Sequence, residues 1–134
     1  MNAVKLNEIE KERKDLLSRL NELNDEYYKL SNENDLQAAE AAFGRFYRNK
    51  SLGMGEECVF HPLKRSSGIF RYDVYLEGEY VSHSIRLIGE ESVFATNRQI
   101  VSIKDFKDDY EEISKAEYDE IKRRAFDSFM PKED

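Results

Sequence analysis

The chain has 134 residues, with 21 Lys or Arg against 28 Asp or Glu and a net charge of -7. That length suits one globular domain with an extended appendage, and 8 Tyr with 8 Phe supply a core, which excludes full disorder. No apolar run approaches the roughly 20 residues of a membrane span, no basic-then-apolar leader opens the chain, and one cysteine excludes an intrachain disulfide framework. A reducing, cytoplasmic setting is expected, and the acidic balance argues against duplex nucleic acid as a partner.

The charge is unevenly spread. Residues 1–35 hold 6 bases and 9 acids, residues 36–100 hold 8 of each, and residues 101–134 hold 7 and 11. The two ends are acidic and the middle is balanced.

The N-terminal third carries a heptad. Leu6, Ile9, Arg13, Leu16, Leu20, Leu23, Tyr27 and Leu30 alternate spacings of 3 and 4. Leu6, Arg13, Leu20 and Tyr27 take position a; Ile9, Leu16, Leu23 and Leu30 take d. Glu10–Lys14, Asp15–Arg19 and Asp25–Lys29 are acid-to-base i,i+4 pairs. A narrow stripe on a helix about 42 Å long (residues 4–31) predicts an oligomerisation coil over residues 1–33, with a homodimer as the simplest assembly. Arg13 interrupts the seam and is expected to set register, while Leu17 at e widens the face and keeps a trimer or bundle open. Ser31, Asn32, Asn34 and Asp35 end the heptad, and Leu36–Ala42 reads as a short connecting helix or a bent continuation, closed by Gly44.

Residues 34–134 then read as a compact β domain. Phe43–Arg48 and Glu57–Leu63 are candidate strands, with Pro62 marking an edge or a strand end. A hairpin Ile69–Leu76 and Glu79–Ile88 is expected to turn at Glu77-Gly78, placing Val74 opposite Val81, Tyr72 opposite His83 and Phe70 opposite Ile85. Ser92–Thr96 and Gln99–Ile103 read as two short strands, and Tyr110–Ile113 as a last one. The pattern predicts an α+β fold with a small antiparallel barrel or curved sheet, an SH3-like barrel being one candidate. Ser114-Lys-Ala-Glu117 is a capping box opening a C-terminal helix over 115–129, with Ile113 and Tyr118 as its hydrophobic staple.

Catalytic motifs are absent: no P-loop, GxGxxG, GxSxG or HExxH occurs. Cys58 and His61, three apart on a strand, point to opposite faces and do not make a metal pair, and His83 reads as a satisfied core histidine. No metal or cofactor is expected, nor enzymatic activity. The most suggestive polar set is basic and aromatic: Arg45, Tyr47, Arg48, Lys50, Lys64, Arg65, Arg71 and Arg86, either a phosphorylated-ligand or nucleotide surface or ordinary compensated charge.

The order of parts carries a resemblance. An acidic heptad helix precedes a β domain opening with Phe43-Gly-Arg-Phe-Tyr and closing with Tyr110-Glu-Glu-Ile-Ser-Lys-Ala-Glu-Tyr-Asp-Glu-Ile. This resembles small accessory proteins of bacteriophages and mobile elements. The resemblance implies a host-directed binding protein, for example an inhibitor of a bacterial defence or nucleic-acid enzyme, acting in the host cytoplasm if phage-encoded. It assigns no site residue.

Overall fold

A computed structural model describes residues 2–67, 73–86 and 89–129. The elements are α1 (Asn2–Ala42), β1 (Phe46–Asn49), β2 (Glu56–Ser67), β3 (Val74–Ile85), β4 (Glu91–Ser102), α2 (Ile103–Asp109), β5 (Tyr110–Ile113) and α3 (Lys115–Phe129). The chain divides into two units, Met1–Asn34 and Asp35–Asp134.

The first unit is helix alone. The helix does not break at Ser31–Asp35, where a stop or bend is expected from sequence. Ser and Asn cost only a few tenths of a kcal/mol each inside a helix, and no Gly or Pro occurs before Gly44. At 41 residues α1 is about 62 Å long. Gly44, with φ of +78°, takes the left-handed conformation that ends it, and its N–H reaches the Pro62 carbonyl at 2.9 Å.

The second unit is α+β. Five antiparallel strands form an open sheet in the order β4-β3-β2-β1-β5; of the expected alternatives, the curved sheet is the one that forms, and the described strands close no barrel. The sheet is covered on both faces. On one, Tyr47, Phe60, Val74 and Leu76 pack with Ala39 and Ala42 of α1 and with Ile103 and Phe106 of α2. On the other, Val59 and Val81 pack with Tyr118, Ile121 and Ala125 of α3. Alternation explains the division: neighbours Phe46/Tyr47 and Val59/Phe60 point to opposite faces.

The expected hairpin is overturned. Glu77-Gly78 is no turn but lies inside β3, which runs unbroken from Val74 to Ile85 and pairs with β2 on one side and β4 on the other. Val74 and Val81 therefore share a strand and face opposite cores. Phe70 and Tyr72 lie outside the described residues. Gly78 serves a close approach instead: a Cβ there would stand 2.0 Å from the His61 carbonyl oxygen. Ladder irregularities fall at Pro62/Lys64 and at Gly78/Tyr80. They bend three long strands at one level of the sheet. They also explain Pro62, which is buried in an interior strand at a bulge and not at an edge. The two short strands expected over 92–103 are one strand, β4, whose extra residue falls at Asn97-Arg98; Arg98 N–H donates to Thr96 Oγ1 at 3.2 Å.

Helix α2 stands where sequence suggested a connection. Ser102 caps it, accepting from Asp105 N–H at 3.2 Å. Helix α3 starts as its capping box requires, with Glu117 N–H donating to Ser114 Oγ at 3.1 Å. Ile113 and Tyr118 meet in the second core.

Candidate functional site

The heptad residues are displayed on α1 as the spacing predicts. Leu6, Ile9, Leu16, Leu20, Leu23, Tyr27 and Leu30 are each between 44% and 67% exposed. Arg13 and Leu17 are exposed beside them. Of the 17 exposed large hydrophobic residues described, ten lie between Val4 and Leu30. The expected i,i+4 ion pairs along this helix do not form; Lys5, Glu10, Glu12, Arg13 and Lys14 make no ion pair among the described residues.

The basic and aromatic set is divided by the sheet. Arg45 pairs with Glu112 at 3.3 Å, and Arg48 pairs with Glu111. Adjacent strand residues 111 and 112 point to opposite faces, so the two arginines serve opposite sides. Tyr47 is buried against Phe106, ring centroids 4.6 Å apart, and offers no stacking platform. Burial raises its hydroxyl pKa, Glu112 adds to the rise, and Arg45 opposes it. Lys64 sits at the other end of β2, 3.3 Å from Glu77. Lys50 and Arg65 are exposed or partly exposed without an ion pair among the described residues, Arg86 is held through its backbone N–H to the Glu90 carbonyl, and Arg71 lies outside the described residues.

Sequence reasoning missed two carboxylate sites. Glu77 is only 5% exposed, yet it receives Arg98 Nε at 2.9 Å and Lys64 Nζ at 3.3 Å. The Arg98 hydrogen bond, joined by Lys64, holds its pKa below the ordinary carboxylate value. Glu79, two residues on and on the α3 face, accepts from Tyr118 Oη and Lys122 Nζ, each at 2.6 Å. Partial burial pushes its pKa up, but those two donors outweigh it and leave it lowered. The only local signal was the pair of glutamates flanking Gly78 in a strand. Beside Glu79 an open cleft of about 440 Å³ is lined by Val81, Ala95, Thr96, Asn97, Lys122 and Phe126. The outer edge of β4 borders it and displays Phe94 and Ile100.

No family, curated protein or solved structure matches the chain. Ser128 Oγ lies 3.0 Å from His83 Nε2. Its hydroxyl also donates to the Ala125 carbonyl at 2.9 Å, near the carbonyl-rich end of α3, where the helix dipole opposes a developing oxyanion. His83 thus shares a hydrogen bond with Ser128 of α3. Cys58 is buried, 3.6 Å from Tyr110 Oη; burial pushes its thiol pKa up, the opposite of an activated thiol, although Tyr80 and Tyr110 hydrogen bonds partly oppose the rise. His61 stacks on Phe46 at 4.3 Å and pairs through Nδ1 with the Arg45 carbonyl at 2.8 Å. Among the described residues no group of three or more His, Cys, Asp or Glu is placed to hold a metal ion. Among the described residues no helix is long and apolar enough to cross a membrane.

Proposed function

We propose that the protein is a non-enzymatic, self-associating binding module. Its N-terminal helix joins two copies, and its sheet unit presents a surface to a protein partner. One observation carries this reading: ten of the 17 exposed large hydrophobic residues described lie on α1, seven of them at heptad seam positions, while helices pack on both faces of the sheet. Coil seams are built this way, and monomers rarely leave such stripes in water.

The outer edge of β4 supports the second half of the reading. An interior strand shares its main-chain groups with two neighbours, whereas β4 has only β3. An extended partner segment finds hydrogen-bonding groups there, with exposed Phe94 toward one face of the sheet and the cleft lined by Phe126 on the other. The resemblance to phage accessory proteins makes a host enzyme in the cytoplasm the proposed class of partner. The alternative, a nucleotide or phosphorylated ligand held by the basic set, loses support because Arg45, Arg48 and Lys64 each face a carboxylate and Tyr47 is buried.

Sedimentation at micromolar concentration tests the assembly. A dimer mass is expected for the wild-type chain. Leu16→Glu combined with Leu23→Glu puts two charges per chain into the seam and should give a monomer whose sheet unit keeps its near-ultraviolet signal. A wild-type monomer would remove the basis of the proposal.

A further inference from the structure

We infer that the two helices pair in parallel and in register, as a two-stranded coil held by Lys5 with Glu10 and by Arg13 with Glu12 across the interface. This rests on the stripe being a self-association surface, and it deepens that reading by fixing how the second copy lies.

The heptad assignment places Lys5, Glu12, Arg19, Glu26 and Glu33 at g and Glu10, Leu17, Asn24 and Ser31 at e. In a parallel pair each g residue meets the e residue five positions later on the second copy. The meetings are then Lys5 with Glu10, Glu12 with Leu17, Arg19 with Asn24, and Glu26 with Ser31. One is an opposite-charge contact, made twice by symmetry, and none is like-charged. Arg13, at a, faces the preceding g residue of the other chain, Glu12. The two Arg13 also face each other across the a layer, a like-charge meeting made once, and each guanidinium relieves it by leaving the seam toward the Glu12 carboxylate while its aliphatic stem stays in the apolar layer.

The antiparallel alternative also fills every layer. Leu6 would meet Leu30, Ile9 would meet Tyr27, Arg13 would meet Leu23, and Leu16 would meet Leu20. Apolar packing alone therefore does not choose. Charge does. Antiparallel pairing runs g against g, which sets Glu12 against Glu26 twice and Arg19 against Arg19 once at the centre, against two opposite-charge meetings of Lys5 with Glu33. Like charges across a helical pair are destabilising by about as much as opposite charges stabilise. Because Lys5, Glu10, Glu12 and Arg13 make no ion pair along their own helix among the described residues, all four are available to a second copy.

Strand number follows from the same residues. An Arg at a escapes to the flank of a two-stranded coil, whereas a third helix would enclose it. A parallel pair brings residue 35 of both chains to the same end. Two sheet units then act on one partner assembly, with the gain in effective concentration that linkage provides.

Two measurements on the full chain test this. Residue 2 is a d position, one heptad before Ile9. In glutathione buffer, Asn2→Cys should close an interchain disulfide with itself only if the helices are parallel, since an antiparallel pair sets residue 2 opposite residue 34. A disulfide formed instead in an equimolar mixture of Asn2→Cys and Asn34→Cys chains would overturn the polarity while leaving a dimer. A trimer or monomer mass by sedimentation would overturn the arrangement altogether. Second, Glu10→Lys turns two attractions into repulsions and should weaken the dimer roughly 4- to 30-fold. Adding Lys5→Glu should restore it. In an antiparallel pair position 10 faces Asn24, so no rescue by Lys5→Glu would count against the proposal.

Discussion

Gly78→Ala tests the sheet's central feature. A Cβ at this position would lie 2.0 Å from the His61 carbonyl oxygen, 2.7 Å from Pro62 Cα and 2.8 Å from the His61 carbonyl carbon. All three are backbone atoms, so no rotamer change relieves the overlap. Ordinary contact begins near 3.4 Å, so β2 and β3 would have to separate by more than an ångström where Pro62 faces Gly78. That separation strikes the ladder beside Phe60 and Leu76, both fully buried. Overpacking of well-packed sites costs typically 1–3 kcal/mol; with no flexible neighbour to yield, about 3 kcal/mol is expected. For a unit of roughly 100 residues this lowers Tm by about 12–24 °C. Gly53→Ala is the control, because nothing stands within 4 Å of its added carbon. It should stay within about 0.5 kcal/mol of wild type. Calorimetry or circular dichroism reads both variants. If Gly78→Ala melted with Gly53→Ala, the close approach would not exist and the reading of 77–78 as a bulged strand would fail.

Other expectations follow from the buried polar groups. Tyr118→Phe removes one donor from Glu79 but leaves Lys122, and should cost about 1–2 kcal/mol in urea denaturation. The native Glu79 pKa is lowered, so its contribution is complete above the unfolded value near 4.3 and is lost as pH falls through the native one; Glu79→Gln should flatten the stability curve on that acid side. At the alkaline end the signs reverse. Burial, with Cys58 adding to it, pushes Tyr80 up to about 12, and burial raises Tyr110 and Tyr118 as well. These hydroxyls contribute fully below pH 10 and lose that contribution as pH climbs through their native values; tyrosinate absorbance should show them ionising together with unfolding, not before it. Cys58 should resist alkylation at neutral pH until denaturant is added, and immediate reaction would contradict its burial. Arg45→Ala with Arg48→Ala should shift stability by no more than about 1 kcal/mol per pair, because both pairs are exposed.

The parts legible in the sequence were those governed by local rules. The N-terminal helix, the Ser114 capping box and the brief strand 110–113 need only spacing and a cap, and each forms where those signals lie. The hairpin was misread for a specific reason. Glu77-Gly78 satisfies the chemistry of a two-residue turn, and residues on both sides alternate. Alternation distinguishes faces only when one face is wet, and this sheet is covered on both, so Val74 and Val81 look equivalent although they enter different cores. Helix α2 did have a signal, Ser102 three residues before Asp105, with Ile103 and Phe106 one turn apart. The Glu79 site was beyond reach, since Tyr118 and Lys122 lie 39 and 43 residues away in sequence.

The regional charge counts acquire a physical meaning once the strands are placed. The balanced middle and the acidic end are not separate surfaces, because β5 lies against β1 and α3 lies across the sheet. Arg45 and Arg48 from the middle meet Glu112 and Glu111 from the end, and Arg124 of the end reaches toward Glu57 of the middle at 3.8 Å. Charge in the sheet unit is thus largely spent within it. That is why Arg45, Arg48 and Lys64, which read as part of a basic cluster in the sequence, each face a carboxylate. The first 34 residues have no such internal compensation: their bases and acids stand along one helix without closing on each other among the described residues. Unspent charge and exposed apolar surface therefore coincide on the same element, which is the ground on which self-association is proposed.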